Sequence, residues 1–486
     1  MYPFATLVLI ASAVLAEEPP PQASQPLDEV LSFSYLENGP GGYTITLSNG
    51  RVFDFDELSA DQNDGRYNAT VHFSSKSGQS EDAASIVVVG SGSPNIRWAT
   101  DAGNRVSEFA KPFRAMINDV ENAMMYEFMT DFSTEETIVL ARKHSDLGNS
   151  YDDPDEEVEE KKLVRGKEGK TGKPSDRMLQ SFSLGVRPNE DDVDVMIVWT
   201  RWAECSNAYP HMLPAPFPCS LNSWTEAAMR ATIDLAVTQS NSVLRNSGVK
   251  SRLRLVHAYR DSNYVEDEIG GGDMFSHALR YFTFDDDAAE KRNFFGADVV
   301  SAFLYNPARQ KFCGKAWAGK GEPVDEDKAF SAVDYRCATS RYDLIHEIAH
   351  NLGSFHDRGT ENKCTDDVKT ISYGFRHPVY PYRSVMSYDC NIQGCDDNPN
   401  GRCAILPILS GPNSKYAIND SRGNRVVATM GATWANNALY VAWAMTQAAQ
   451  YREVSEATIG CRSSDDCPFS RTFSGGGSCV SGQCLY

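Results

Sequence analysis

The chain has 486 residues, of which 41% are apolar and 23% charged, which is enough for two or three globular domains. The formal net charge of −20 argues against a nucleic-acid-binding protein and against binding to anionic membranes, because both need basic patches. The acidity indicates nothing further about function, since it also simply keeps a protein in solution.

The first 16 residues are typical of a secretory signal peptide. Residues 3–16 form an uncharged, mostly apolar run, and Val14 and Ala16 are small residues of the kind that precede a cleavage before Glu17. The alternative is a membrane anchor, but about 13 apolar residues are too few to span a bilayer. We therefore predict a secreted, extracellular chain with no stable membrane insertion.

Residues 17–150 contain no cysteine and alternate apolar and polar residues in short runs. An Asn-Gly turn at residues 49–50 predicts a hairpin between strands at residues 43–47 and 51–53. Further strands are predicted at residues 70–73 and 86–89. This region is therefore predicted to be a β-rich domain, and we interpret it as a propeptide domain.

Residues 151–184 are predicted to be a linker. Seven of the ten residues at 151–160 are acidic, and residues 161–177 are basic and nearly free of large apolar side chains. Opposed charge blocks with little to bury are typical of a solvated segment. Its lysines and arginines make this linker a target for processing proteases, so we expect the propeptide to be released here.

From about residue 190, strands alternate with helices, which predicts a mixed α/β domain with a central sheet over residues 185–453. The apolar periodicity predicts strands at residues 193–199, 252–256 and 297–305, and helices at residues 222–246 and 435–451. Gly248 is expected to stop the first of these helices.

The twelve cysteines all lie at or after Cys205, and their even number predicts disulfides formed in an oxidising compartment. The pairing stays open, because eight cysteines before residue 454 and four after it allow many combinations. Residues 454–486 form a cysteine-rich tail with almost no core, which two disulfides must hold. Sequons at Asn68 and Asn419 predict glycosylation.

Residues 346–357 read His-Glu-Ile-Ala-His-Asn-Leu-Gly-Ser-Phe-His-Asp. His346 and His350 are four residues apart, so a helix would present both imidazoles on one face. A capping box of Ser340 and Asp343 is predicted to begin this helix, and Gly353 to end it. The chain then turns back, and His356 arrives from outside the helix as a third ligand.

Three neutral imidazoles with an open fourth position predict one catalytic Zn²⁺ rather than a structural metal. Zinc lowers the pKa of its bound water to about 7, and Glu347 beside His346 is the predicted general base. The alternative, histidines that merely pack in a core, does not account for the spacing. The other six histidines have no neighbours at ligand spacing.

The motif, followed by Ser-Val-Met-Ser-Tyr at residues 384–388, resembles the metzincin clan of zinc endopeptidases over about residues 190–452. The resemblance implies an α/β metzincin domain with a central twisted sheet, an active-site helix and a Met-turn, with Met386 as the apolar floor of the zinc site. Asp357 after the third histidine is similar to the adamalysin (reprolysin) and bacterial peptidyl-Asp metalloendopeptidase branches.

The Met-turn itself is closer to those of serralysins and astacins, in which the tyrosine can approach the zinc. Tyr388 is therefore a candidate for stabilising the oxyanion, and simple packing is the alternative. The resemblance also implies that residues 314–319 are an edge strand to which an extended substrate adds as a further strand. The segment with Cys390, Cys395 and Cys403 would then form the wall of the side-chain pocket.

The sequence thus predicts a secreted zinc metalloendopeptidase, made as a proenzyme, monomeric, and acting on protein or peptide substrates. Because no cysteine precedes Cys205, the propeptide would inhibit by a carboxylate at the metal or by filling the cleft. Two rivals are an adhesion protein on a metzincin scaffold and a metal hydrolase with non-peptide substrates. Retention of Glu347 and of all three histidines favours the peptidase.

Overall fold

The computed structural model describes most of the chain from residue 191 to residue 453, together with the strands that precede and follow it. The described ranges are 29–31, 33–37, 42–60, 71–75, 84–90, 113–119, 124–131, 136–143, 191–209, 219–266, 273–306, 313–319, 321–361, 364, 370–390, 403–420, 425–453, 478–480 and 483–485. The predicted signal peptide and linker lie outside these residues.

The N-terminal region is one antiparallel sheet of nine strands. These are β1 (Glu29–Leu31), β2 (Phe33–Glu37), β3 (Gly42–Leu47), β4 (Val52–Ala60), β5 (Val71–Ser75), β6 (Ala84–Gly90), β7 (Phe113–Asp119), β8 (Met124–Asp131) and β9 (Glu136–Lys143). Their order in the sheet is β1-β9-β8-β7-β6-β5-β4-β3-β2. The predicted hairpin is confirmed as β3–β4, with Gly50 at φ 86° in its turn.

The second sheet has five strands. They are β10 (Val193–Thr200), β11 (Leu253–Asp261), β12 (Val299–Leu304), β13 (Gly314–Ala316) and β14 (Phe330–Asp334). The order is β11-β10-β12-β14-β13, and only the edge strand β13 runs antiparallel to its neighbour. The predicted edge strand at residues 314–319 is therefore found at residues 314–316.

Helices cover this sheet on both faces. They are α1 (Arg201–Ala208), α2 (Ser223–Asn246), α3 (Met274–Phe284), α4 (Asp286–Phe295), α5 (Tyr335–Ser340), α6 (Asp343–Asn351) and α7 (Asn437–Ala448). Alternate residues of β10 enter two different cores: Ile197 and Trp199 pack with α2, α6 and α7, whereas Met196 and Val198 pack with α3. This explains the continuous apolar run of β10, because a parallel strand between two helical layers is buried on both faces.

The predicted long helix is confirmed as α2. The Asn222 side chain accepts hydrogen bonds from the backbone N–H groups of Trp224 and Thr225, and the Thr225 hydroxyl oxygen accepts one from the Asn222 N–H. This capping box satisfies orphan donors of the first turn. Gly248 follows the last turn at φ 75°, as predicted.

After α6 the chain forms short two-stranded ladders. They are β15 (Phe355–Asp357) with β16 (Tyr373–Gly374), β17 (Tyr382–Arg383) with β18 (Ala404–Ile405), and β19 (Lys415–Asn419) with β20 (Arg425–Thr429). In the tail, β21 (Ser478–Val480) and β22 (Gln483–Leu485) form a hairpin in which Cys479 lies opposite Cys484.

The prediction of disulfides is confirmed in the described residues, where the bonds are Cys205–Cys219, Cys313–Cys337 and Cys390–Cys403. Cys364 is also disulfide-bonded. The second bond joins the start of β13 to α5, and the third closes the segment after the Met-turn. Across the described part of the chain, no helix has both the length and the apolar character required to cross a membrane.

Candidate metal centre and active site

The helix that carries the predicted ligands begins after Tyr342, which has the left-handed conformation of φ 62° and ψ 26°. The predicted capping box of Ser340 and Asp343 is wrong. Ser340 is the last residue of α5, and its hydroxyl donates to the Arg336 carbonyl at 2.7 Å. Because α5 ends so close to α6, a sharp turn at residues 341–342 joins the two helices.

The predicted end of α6 is confirmed. Gly353 has φ 89°, and its N–H donates to the His350 carbonyl at 2.9 Å. A Cβ at this position would lie 2.5 Å from the Glu322 carbonyl oxygen. Only glycine combines this backbone conformation with such a close approach. The reversal brings β15, and with it His356, back beneath the helix.

The three predicted imidazoles converge. The Nε2 atom of His350 lies 3.1 Å from Nε2 of His346 and 3.0 Å from Nε2 of His356. All three side chains are buried. Among the described residues they form a group of histidines whose nitrogens could hold one ion.

The outer nitrogen of each ring faces an oxygen. Nδ1 of His346 lies 2.9 Å from the Val385 carbonyl, and Nδ1 of His350 lies 2.9 Å from the Ser354 carbonyl. Nδ1 of His356 lies 2.8 Å from Oε1 of Glu361. Since each of these oxygens accepts a hydrogen bond, each Nδ1 carries the proton and each Nε2 keeps its lone pair for a metal.

This donor set fits a divalent metal ion of the size of zinc. Nitrogens bound at about 2.1 Å in tetrahedral geometry are about 3.4 Å apart, close to the Nε2 separations found here. Three neutral imidazoles leave one tetrahedral position open for water or substrate. The residues present are therefore suited to a catalytic metal rather than to a closed structural one.

Glu347 of α6 is buried, and its side chain lies against the edge strand β13. A Cβ on Gly314 would lie 2.6 Å from Glu347 Oε1 and 2.9 Å from its Cγ, so the carboxylate occupies the space that a side chain at residue 314 would need. Asn351 holds the other end of α6 to the sheet, because its Nδ2 donates to the carbonyls of Trp317 and Phe330. The carboxylate therefore lies beside the strand predicted to bind substrate.

The predicted Met-turn contacts the helix that carries His346 and His350. Met386 is fully buried in the core that includes α6, and the preceding Val385 carbonyl receives the His346 Nδ1–H. The turn closes through the Ser387 N–H, which donates to the Ser384 carbonyl at 3.1 Å. A Cβ on Gly374 of the neighbouring strand β16 would lie 2.6 Å from Ser387 Oγ. Residue 374 must therefore be glycine for β16 to approach the turn so closely.

Tyr388 is brought to the site. Its ring centroid lies 4.4 Å from that of His356, and its N–H donates to Asp357 Oδ2 at 3.0 Å. Arg376 Nε donates to the Tyr388 carbonyl and pairs with Asp357. The tyrosine is therefore held against the third ligand, and its role at the oxyanion stays a prediction.

A buried arginine precedes the Met-turn. Arg383 Nη1 donates to the Ser387 carbonyl, and within the described part of the chain its Nε has no hydrogen-bond partner. Burial, together with the nearby positive charge of Arg341, lowers its pKa to about 10, although the charges of Asp389 and Asp343 act in the opposite direction. A cation with an unused donor is thus buried next to the segment that leads to Tyr388.

Sequence reasoning missed the supporting residues. Glu361 orients His356, and Asp357 ties the third ligand to Tyr388, whereas the sequence had suggested Asp357 only as a mark of subtype. Neither follows a spacing rule, because both contacts depend on how the chain folds back after Gly353. The Val385 and Ser354 acceptors are backbone carbonyls, which no side-chain motif can reveal.

Residues 230–357 match the family model described as metallo-peptidase family M12B, reprolysin-like. The part of the central domain that carries the three histidines is thus similar to reprolysin-like metallopeptidases, and the predicted resemblance to these metzincin branches is confirmed.

Three similar relatives are all named peptidyl-Asp metalloendopeptidase. Those from Stenotrophomonas maltophilia are 30% identical over 193 residues (strain K279a) and 31% identical over 196 residues (strain R551-3). The one from Xanthomonas campestris pv. campestris is 29% identical over 188 residues. Each match covers 39% of this chain and 40–42% of the relative, so the chain spans about two fifths of the length of these relatives.

A solved structure of a chaperone–substrate complex aligns with 54% of this chain and 35% of its own, at a TM-score of 0.35 and 16% identity.

Proposed function

We propose that this protein is a secreted zinc metalloendopeptidase, made as a proenzyme, that hydrolyses peptide bonds in protein substrates. The observation that carries the proposal is the convergence of three Nε2 atoms, each ring oriented through Nδ1, beside the buried carboxylate of Glu347. Disulfides in the catalytic domain support export, because such bonds persist in oxidising compartments.

His346, His350 and His356 would hold the zinc ion, which supplies a Lewis acid and an acidified water at neutral pH. Glu347 takes the proton of the attacking water and delivers it to the leaving amine. An extended substrate pairs with the outer edge of β13, which is the last strand of the described sheet, and this orients the scissile carbonyl towards Glu347. Tyr388 donates to the oxyanion that forms on that carbonyl.

The finer proposal concerns specificity. The relatives are named for cleavage at aspartate, and the buried Arg383 offers a cation with an unused donor close to the Met-turn. Guanidinium groups recognise carboxylates through paired N–H donors. We therefore propose that this protein prefers an acidic side chain next to the scissile bond, and that Arg383 binds it.

A casein or gelatin zymogram with and without a zinc chelator tests the activity. Chelator-sensitive clearing that returns on adding zinc is expected, whereas an adhesion protein or a non-peptide hydrolase would clear nothing. Mass spectrometry of the secreted form then gives its N-terminus, which we expect within or just after residues 151–184, and the peptide products.

Paired peptides that differ only by aspartate or asparagine at the cleavage site test the specificity. Arg383→Met should reduce the Asp-over-Asn ratio of kcat/KM by at least about tenfold, because a charge-assisted hydrogen bond is lost. Arg292→Met is the matched control, since burial also lowers the pKa of Arg292 to about 10 but its Nε donates to the Ala297 carbonyl. An unchanged ratio in a folded Arg383 variant would remove Arg383 from the pocket.

A further inference from the structure

Strand β7 of the N-terminal sheet lies against the metallopeptidase domain with one face. Residues 114, 116 and 118 are two apart, so their side chains point to the same side of the strand. Arg114 contacts α1, Met116 contacts α2, and Asn118 contacts Tyr342, the residue before α6. Three successive positions of one strand face thus contact three different elements of the catalytic domain.

The contacts at Arg114 and Met116 fix the sheet in place. The Arg114 guanidinium is buried, pairs with Glu127, and donates to the backbone and side-chain oxygens of Asn207. Met116 packs with Met125 and with Leu235 of α2. A buried arginine with these partners makes separation costly, because it would leave polar groups without their hydrogen bonds.

The contact at Asn118 is of a different kind, because it reaches the active-site helix. Asn118 Nδ2 donates to the Tyr342 hydroxyl at 2.6 Å, and both side chains are buried. The Tyr342 carbonyl in turn accepts the His346 N–H at 3.0 Å. One residue therefore connects the N-terminal sheet to the amide of a metal ligand.

At Tyr342, the start of α6 is not stabilised by local sequence features. Among the described non-glycine residues it alone has a positive φ, and its side chain makes no cap to the helix. A left-handed tyrosine persists only where surrounding contacts fix it. Its buried ring in the core and the hydrogen bond from Asn118 are the contacts that do so here.

We propose that Asn118 is a positioning residue for the metal centre, through which the N-terminal sheet holds the start of the active-site helix. The N-terminal domain then helps to form the zinc site while it is attached, in addition to any role in latency. The inference rests on the proposed zinc ligands but not on peptidase activity.

Zinc affinity of the full-length protein, measured by competition with a chromogenic chelator, tests this inference. Asn118→Leu should weaken zinc binding about tenfold, as loss of a contact that orients a ligand does. Met116→Leu is the matched control on the same strand face, because it retains an apolar contact with α2, and its affinity should stay within about threefold of wild type. Equal losses in both variants would overturn the inference, because the effect would then be general to docking.

Tyr342→Phe removes the same hydrogen bond from the side of its other partner. Because this substitution removes only one oxygen atom, it can test the inference even if Asn118→Leu does not fold. The double variant lacks the same single contact, so its zinc affinity should fall no further than that of Asn118→Leu alone. Losses that multiply instead would show that the two residues act independently and would overturn the inference. Zinc binding that responds to Asn118 in a protein that cuts no peptide would contradict the proposed function alone.

Discussion

Two parts of the proposed metal centre are fixed by different kinds of contact. His346 and His350 are carried by one helix, and their outer nitrogens face backbone carbonyls of Val385 and Ser354. His356 lies on a short strand after the Gly353 reversal, and its outer nitrogen faces the Glu361 side chain. The two helix histidines are therefore fixed mainly by main-chain geometry, whereas the third proposed ligand depends on side chains that substitution can remove.

The largest effect is expected from Glu347, which belongs to the helix but binds no metal. Glu347→Gln should lower kcat by about 10²–10⁴-fold, because general base catalysis contributes that much, while zinc content stays stoichiometric. Turnover and metal analysis of the same preparation check this. Near-wild-type turnover would show that another group takes the proton.

Loss of a ligand should remove metal and activity together. His356→Ala should weaken zinc binding by more than about a hundredfold, more than loss of an orienting partner does. His350→Ala provides the comparison, and chelator titration measures both. If His356→Ala binds zinc and cleaves normally, the third ligand is misassigned, and the importance of the Gly353 turn is contradicted as well.

Glu361→Gln directly tests whether the third ligand depends on a side chain. Zinc affinity should fall by about tenfold, because an amide orients the imidazole less strongly than a carboxylate does. Glu290→Gln, an exposed residue on α4, is the control and should change nothing. No equivalent variant exists for His346 or His350, whose acceptors are backbone carbonyls. Unchanged affinity in the Glu361 variant would mean that the two parts of the site are equally fixed.

The smallest effect is expected at Tyr388. Tyr388→Phe keeps the ring against His356, so zinc affinity should not change, while kcat falls about tenfold through loss of the hydroxyl. A single-turnover measurement at saturating substrate separates this from a change in binding. If kcat is unchanged, the tyrosine only packs on the ligand.

Much of the site followed from local sequence. The i, i+4 spacing predicted the helix pair, Gly353 predicted the reversal, and the residues around Met386 predicted the Met-turn. The strands β3, β4 and β10 and helix α2 followed from periodicity and turn residues in the same way. These features depend on residues that are close together in the chain, so they can be predicted from a single sequence.

The features that could not be predicted depend on distant residues. The predicted start of α6 was wrong because a tyrosine in the left-handed conformation has no sequence signature. Its conformation depends on tertiary contacts such as that with Asn118. Glu361 was missed because its partner is determined by the chain reversal. The docking of β7 on α2 was missed because alternation shows which residues share a face of a strand but not what that face contacts.

The Cys313–Cys337 bond has a consequence for handling the enzyme. It joins the start of the edge strand β13 to α5, which immediately precedes the helix carrying Glu347. Closing a loop with a sequence separation of 24 residues stabilises a fold by about 3 kcal/mol in the chain-entropy model. A phosphine reductant should therefore lower the proposed activity although no thiol takes part in the proposed chemistry. Recombinant production in a reducing cytosol should yield protein in which β13 is poorly fixed relative to Glu347.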